Sequence, residues 1–206
     1  SFLQKLERKM KKRLVILLLF LVVAHAQTDV SGAISSNTTW DVSGSPYTIT
    51  ANTVIMDGVT LTIDPGVSVL FSQDVYLKAL SGGTLIAQGT EVDSINFSLS
   101  NNTTSSKRII FEENSIGSVT ENDTTYISGS MFDYCVFDSF YSEEPGGALS
   151  SSVNILIQNS RVSNNSAIDG GAFHGDYLIF NRVKFINNES TGRGGSIYNS
   201  EFYGGL

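Results

Sequence analysis

One spacing constrains this chain more than any other feature. The tetrad glycine-glycine-small-apolar occurs three times, as Gly146-Gly147-Ala148-Leu149, Gly170-Gly171-Ala172-Phe173 and Gly194-Gly195-Ser196-Ile197, and both intervals are 24 residues. Two further features keep nearly the same step. Val162-Ser163-Asn164-Asn165 returns as Phe185-Ile186-Asn187-Asn188, and Ile155-Leu156-Ile157 returns as Leu178-Ile179-Phe180, each 23 residues on. A unit of this length is too short for a strand–helix–strand crossover, which takes about 30 residues or more. It does accommodate three strands of about five residues joined by tight turns. Such strands have no partner within their own unit, so each must pair with the equivalent strand of the next, in parallel and about 4.8 Å away. Stacked units then bury one continuous apolar column. The predicted fold class is all-β: a right-handed parallel β-helix, a single-stranded solenoid of about 24 residues per coil, with the hand that parallel-strand connections take.

The recurring polar residues fit the turns of such a coil. Asparagine tolerates left-handed backbone angles, and its amide can bond to an asparagine one coil away. Asn164 over Asn187 and Asn165 over Asn188 are therefore expected as two turn ladders. The pairs Gly146/Gly147, Gly170/Gly171 and Gly194/Gly195 mark a second corner, where positive φ or close backbone approach is needed. Leu149, Phe173 and Ile197 should stack inside. Upstream, residues 54–71 form short alternating runs that put Val59, Leu61 and Ile63 on one face, and polar excursions are expected over residues 98–109 and 112–125.

The expected organisation is residues 1–26 as upstream sequence plus a leader, 27–57 as an N-terminal capping region, and 58–206 as the solenoid. The leader reading rests on Met10, the basic Lys11-Lys12-Arg13, the apolar run Leu14 to Val23, and Ala24-His25-Ala26. Ten apolar residues are too few to span a bilayer, which takes about 20, whereas this order of segments is that of a secretory signal peptide. A secreted or cell-surface location is thus expected, with no direct membrane span in this segment. No polar cap follows Ile197, so the chain is expected to continue past Leu206, to be least ordered from about Asn187 onward, and to associate end to end. That C-terminal continuation would be the coil stack's first partner.

Charge narrows the partners. The chain holds 13 basic and 20 acidic residues; six of the basic ones and one acid precede Gln27, which leaves 7 basic and 19 acidic side chains and a formal net of −12. That balance argues against a nucleic-acid-binding protein and leaves an extracellular glycan or a surface protein as the expected partner. Cys135 is the sole cysteine, so no internal disulfide can form. Its place in Tyr134-Cys135-Val136-Phe137 is that of a small buried hydrophobe.

Residues 58–97, with Gly-Val-Thr-Leu-Thr-Ile-Asp-Pro-Gly-Val and Gly-Thr-Leu-Ile-Ala-Gln-Gly-Thr, resemble the opening coils of secreted right-handed β-helix proteins. Residues 132–202 resemble the repeats of polymorphic outer-membrane proteins, whose hallmarks are Gly-Gly-Ala-Ile and Phe-x-x-Asn. Gly146 to Leu149 and Gly170 to Phe173 match the first closely, and Gly194 to Ile197 with one small substitution. Phe185 to Asn188 matches the second, Val162 to Asn165 has valine for phenylalanine, and Phe137-Asp138-Ser139-Phe140 lacks the asparagine. The resemblance implies a surface module with a structural or adhesive role. Because the fold also carries enzymes, the alternative is an extracellular polysaccharide lyase or glycoside hydrolase of the pectin-lyase-like type. Only that alternative implies a cofactor, Ca²⁺; otherwise none is expected.

Candidate chemistry is sparse. Asp133, Asp138 and Asp169 are the carboxylates that a catalytic cluster would draw on, but Asp169 stands where Arg193 stands one coil later, which predicts a surface ion pair. Glu143 and Glu144 read as a solvated turn before Pro145. His174 corresponds to Tyr198 one coil on and reads as an outward surface residue, with Asp176 on the same strand face. Seven Asn-x-Ser/Thr sequons occur, at Asn37, Asn96, Asn101, Asn102, Asn122, Asn164 and Asn188; their abundance follows from turns rich in Asn, Ser and Thr. No nucleophile elbow, metalloprotease helix, phosphate loop or Ca²⁺ nonapeptide is present.

Overall fold

The computed structural model describes Gln4 and residues 27–100, 103, 108–122 and 124–199. The expected leader and residues 200–206 lie outside them, as do Asn101 and Asn102. The chain is a parallel β-solenoid of about seven turns with coils of about 24 residues. Among the described residues no helix is long and apolar enough to cross a membrane.

Each coil contributes to three faces. Face I stacks Thr38–Trp40, Thr60–Ile63, Thr84–Gln88, Met131–Asp133, Ile155–Gln158 and Leu178–Asn181. Face II stacks the first halves of Thr28–Ile34 and Tyr47–Ile55, then Ser68–Phe71, Ile95–Leu99, Cys135–Asp138, Arg161–Ser163 and Lys184–Ile186. Face III stacks the second halves of the same two strands, then Leu77–Ala79, Ile109–Phe111, Leu149–Ser151, Phe173–Gly175 and Ile197–Asn199. All these pairings are parallel. Within the expected capping region, residues 27–57, Thr28–Ile34 and Tyr47–Ile55 run as strands in register with the coils that follow. The Trp40 and Tyr47 rings stack at 4.9 Å near this end.

Alternation within each strand sends one side chain in and the next out. Leu61 and Ile63 are fully buried between half-buried threonines, and Val59 is buried with them. Equivalent inward residues form columns. On face III the register Leu77, Ile109, Leu149, Phe173, Ile197 runs through five coils. On face II it is Val69, Phe97, Phe137, Val162, Phe185. Phe97 and Phe137 stack with centroids 5.1 Å apart, and Phe132 from face I meets both rings edge-on at 5.8 and 5.2 Å. The neighbour of Phe132 one coil earlier on face I is Ala87, so a large side chain sits beside a small one and the column fills without overpacking.

The corners are left-handed. Tyr134, Asn159 and Arg182 (φ 48, 48 and 54°) turn face I into face II. Ser139, Asn164 and Asn187 (φ 62, 57 and 52°) close face II. Gly146, Gly170 and Gly194 (φ 77, 57 and 63°) precede face III. One residue per coil thus reverses the chain at each corner. The second glycine of each pair has a different duty. A Cβ on Gly171 would lie 2.3 Å from the Gly195 carbonyl oxygen and 2.2 Å from that of Glu189, so the backbone itself packs there.

The second polar excursion, expected over residues 112–125, contains an antiparallel hairpin of Val119–Glu121 and Thr125–Ser128, the one departure from parallel pairing among the described strands. Length added there and around residues 100–108 leaves the coil register intact, because Met131–Asp133 still pairs with Thr84–Gln88 and Leu149–Ser151 with Ile109–Phe111.

Three substitutions test this packing. Phe137→Ala removes a ring with zero exposure and should lower the unfolding free energy by about 3–5 kcal/mol in a urea titration. Gly171→Ala should destabilise clearly, whereas Gly195→Ala, whose Cβ would meet nothing within 4 Å, should be near neutral.

Candidate functional site

The coil geometry separates the candidate carboxylates. Asp133 ends a face I strand, Asp138 ends a face II strand in the same coil, and Asp169 sits in the turn before Gly170, one coil later. Each is filled by donors from the next coil. Asp133 accepts from Gln158 Nε2 at 3.0 Å and Asn159 Nδ2 at 2.8 Å. Asp138 accepts from the Ser163 hydroxyl, from Asn164 Nδ2 at 2.9 Å and from its neighbour Ser139 Oγ at 2.7 Å. Asp169 accepts from the backbone N–H of Arg193 at 2.6 Å and from its guanidinium Nη2 at 3.2 Å, the ion pair that the repeat predicts.

These bonds decide the protonation of Asp138. Partial burial pushes its carboxyl up, but hydrogen bonds from Ser163, Ser139 and Asn164 and the charge of Arg161 outweigh this, and the net is a carboxyl held below its ordinary value. A Ca²⁺ site needs several free oxygens converging on one point. Here the donor set is dispersed over corners and already bonded, and no group of three His, Cys, Asp or Glu side chains among the described residues could hold a metal ion. The three aspartates do not fit that group.

The expected asparagine ladders are realised differently from each other. Asn165 is fully buried; its Nδ2 donates to Asn188 Oδ1 at 2.9 Å and to the Phe137 carbonyl at 3.1 Å, while its Oδ1 accepts from the Phe140 N–H at 3.0 Å. Asn188 Oδ1 also accepts the Asn165 N–H at 3.0 Å, and its Nδ2 donates to the Val162 carbonyl at 2.9 Å. Asn164 and Asn187 align in the left-handed column, but the Asn164 amide reaches back to Asp138. Phe140, which replaces asparagine in the earliest of these coils, is buried.

Cys135 is buried, and that burial, with Asp133 nearby, pushes its thiol well above the ordinary value. His174 faces outward and stacks on Tyr198 at 5.4 Å, while Arg193 lies over the Tyr198 ring at 4.4 Å. Burial and the charge of Arg108 push the His174 imidazole below its ordinary value, against Asp169 and Asp176. Both glutamates are exposed, as a solvated turn requires, and Glu144 also accepts from Arg108 Nη2 at 2.8 Å, while Arg108 donates to Ser142 Oγ at 3.1 Å.

One concave feature lies beside these candidates, with Cys135 and the Asp133 partner Asn159 in its lining. A groove of about 370 Å³ runs over the corner between faces I and II, with Ser94, Tyr134, Val136 and Asn159 around it and three cations, Arg161, Arg182 and Lys184, along it. In sequence these cations look scattered. The 23-residue step that aligns Val162 with Phe185 also aligns Arg161 with Lys184, and that register was the available signal.

No protein-family model matches the chain, and no curated protein or solved structure is significantly similar to it. The class that fold and site define is a parallel β-solenoid whose outer polar columns tie successive coils together.

Two measurements follow. A carboxyl with a depressed pKa contributes stability above its unfolded value of about 3.9, and that contribution is lost as pH falls through the folded value. Asp138→Asn should therefore lose less stability than the parent between neutral pH and pH about 3. Cys135 should stay unreactive toward a disulfide reagent in the native state and react fully only on unfolding.

Proposed function

We propose that this chain is an extracellular β-helix module with a structural and adhesive role, exported through the leader Met10 to Ala26 and displayed at a cell surface, where it binds a glycan or a surface protein. The observation that carries the reading is the fate of Asp133, Asp138 and Asp169. Every one of them is spent on bonds between coils, so the residues most available for acid–base work serve the stack instead. A fully packed column inside leaves recognition to the outer faces, as in solenoids that bind through extended surfaces. The resemblance of residues 132–202 to polymorphic outer-membrane protein repeats supports the same reading.

The test is direct. Surfaces coated with the chain should retain cells or matrix several-fold above albumin-coated surfaces, and equal retention would contradict the proposal. The same protein incubated with acidic polysaccharides, with and without Ca²⁺, should yield no unsaturated or reducing-end product. Product formation that Asp138→Asn abolishes would establish the lyase or hydrolase reading in its place.

A further inference from the structure

We propose that the groove at the corner of faces I and II binds a sulfate ester of an extracellular glycan through Arg161, Arg182 and Lys184. The inference rests on the adhesive reading only in taking the ligand to be extracellular.

The fold assembles these cations for reasons of register. Arg161 and Lys184 are paired on adjacent parallel strands of face II, so their backbones lie about 4.8 Å apart. Both occupy outward positions and are exposed. Arg182 stands two residues before Lys184 at the left-handed corner and is also exposed. Three of the seven basic residues from position 27 onward thus share one groove of a strongly acidic chain.

The other cations among the described residues are paired. Lys78 pairs with Glu112, Arg108 with Glu144 and Arg193 with Asp169. Arg161, Arg182 and Lys184 form no salt bridge among the described residues. Asp138 is close enough for Arg161 to influence its ionisation, but its oxygens are already bonded to Ser139, Ser163 and Asn164. A groove that keeps three like charges together, none of them in a salt bridge, is suited to an anion from outside.

The geometry selects among anions. A guanidinium offers a planar fork that grips two oxygens, and an ammonium adds a compact point charge. Two forks and one point charge, reaching over one groove from adjacent coils, suit a group with three terminal oxygens. A sulfate ester and a phosphate monoester have three, a carboxylate and a phosphodiester two each, and the extracellular reading selects the sulfate ester. The acidic remainder of the chain does not forbid a polyanion, because at physiological salt charges beyond about 8 Å are largely screened while contacts inside the groove are not.

The experiment uses the full chain and immobilised heparin as the sulfated glycan, with polygalacturonate, neutral dextran and a single-stranded oligonucleotide as comparators. Saturable binding to heparin is expected, weakened by sodium sulfate more than by sodium chloride of equal ionic strength. Arg161→Gln, Arg182→Asn and Lys184→Gln should each weaken it about two- to fivefold, and the triple variant should abolish it. Asparagine at 182 keeps the left-handed corner, as Asn159 does one coil earlier, and circular dichroism checks that each variant is folded. Lys78→Gln, on face III, should bind as the parent does. No saturable heparin binding, an unchanged triple variant, or equal affinity for polygalacturonate or the oligonucleotide would overturn the assignment. If heparin binding fails while coated surfaces still retain cells, the groove is wrong and the adhesive reading stands; the reverse result separates them the other way.

Discussion

Everything in this molecule depends on parallel, in-register stacking of coils. A strand in one coil has no hydrogen-bonding partner there, so its backbone is satisfied only by the coils before and after it. Register therefore fixes which side chain lies over which. That is why Phe97 meets Phe137, why Arg161 meets Lys184, and why extra length is confined to outward loops such as the hairpin Val119–Ser128. A slip of one residue would turn every inward side chain outward.

Polar residues serve the same constraint. Corners carry backbone groups that the strands do not satisfy, and asparagine and aspartate supply the missing partners from one coil to the next. Asn165 is the fullest case, with its amide bonded to Asn188, Phe137 and Phe140 and no exposure to water. A buried amide with all its bonds made is stabilising, whereas one left unpaired would cost about 1–3 kcal/mol. The aspartates extend this device outward, where amides and hydroxyls of the next coil occupy their oxygens.

Much of the fold was legible in sequence because solenoid physics writes itself as a period. The glycine pairs, the asparagine pairs and the apolar triplets carry the coil length of about 24 residues, which the solenoid has, and the register that puts Leu149, Phe173 and Ile197 in one column. The asparagine ladder was half legible: Asn165 and Asn188 bond as their spacing implies, but Asn164 turns to Asp138, since an anionic acceptor in the preceding coil outcompetes a neutral one. Strand pairing across residues 28–55 was not legible, because those coils lack the glycine and asparagine signals and their step is set by pairing alone. The Arg108–Glu144 pair is not legible in the sequence because it joins residues 36 apart across an irregular stretch. The basic groove is not legible in a sum of charges, because only the register of Arg161 over Lys184 brings its cations together.

The central claim is that the corner columns lock the coils together as firmly as the strands do. Native-state hydrogen exchange tests it most directly. The amides of Phe140 and Asn165, whose acceptors are asparagine side chains one coil on, should exchange as slowly as those of the core strand residues Phe137 and Val162. Corner amides that exchange as fast as those of the hairpin Val119–Ser128 would contradict the account.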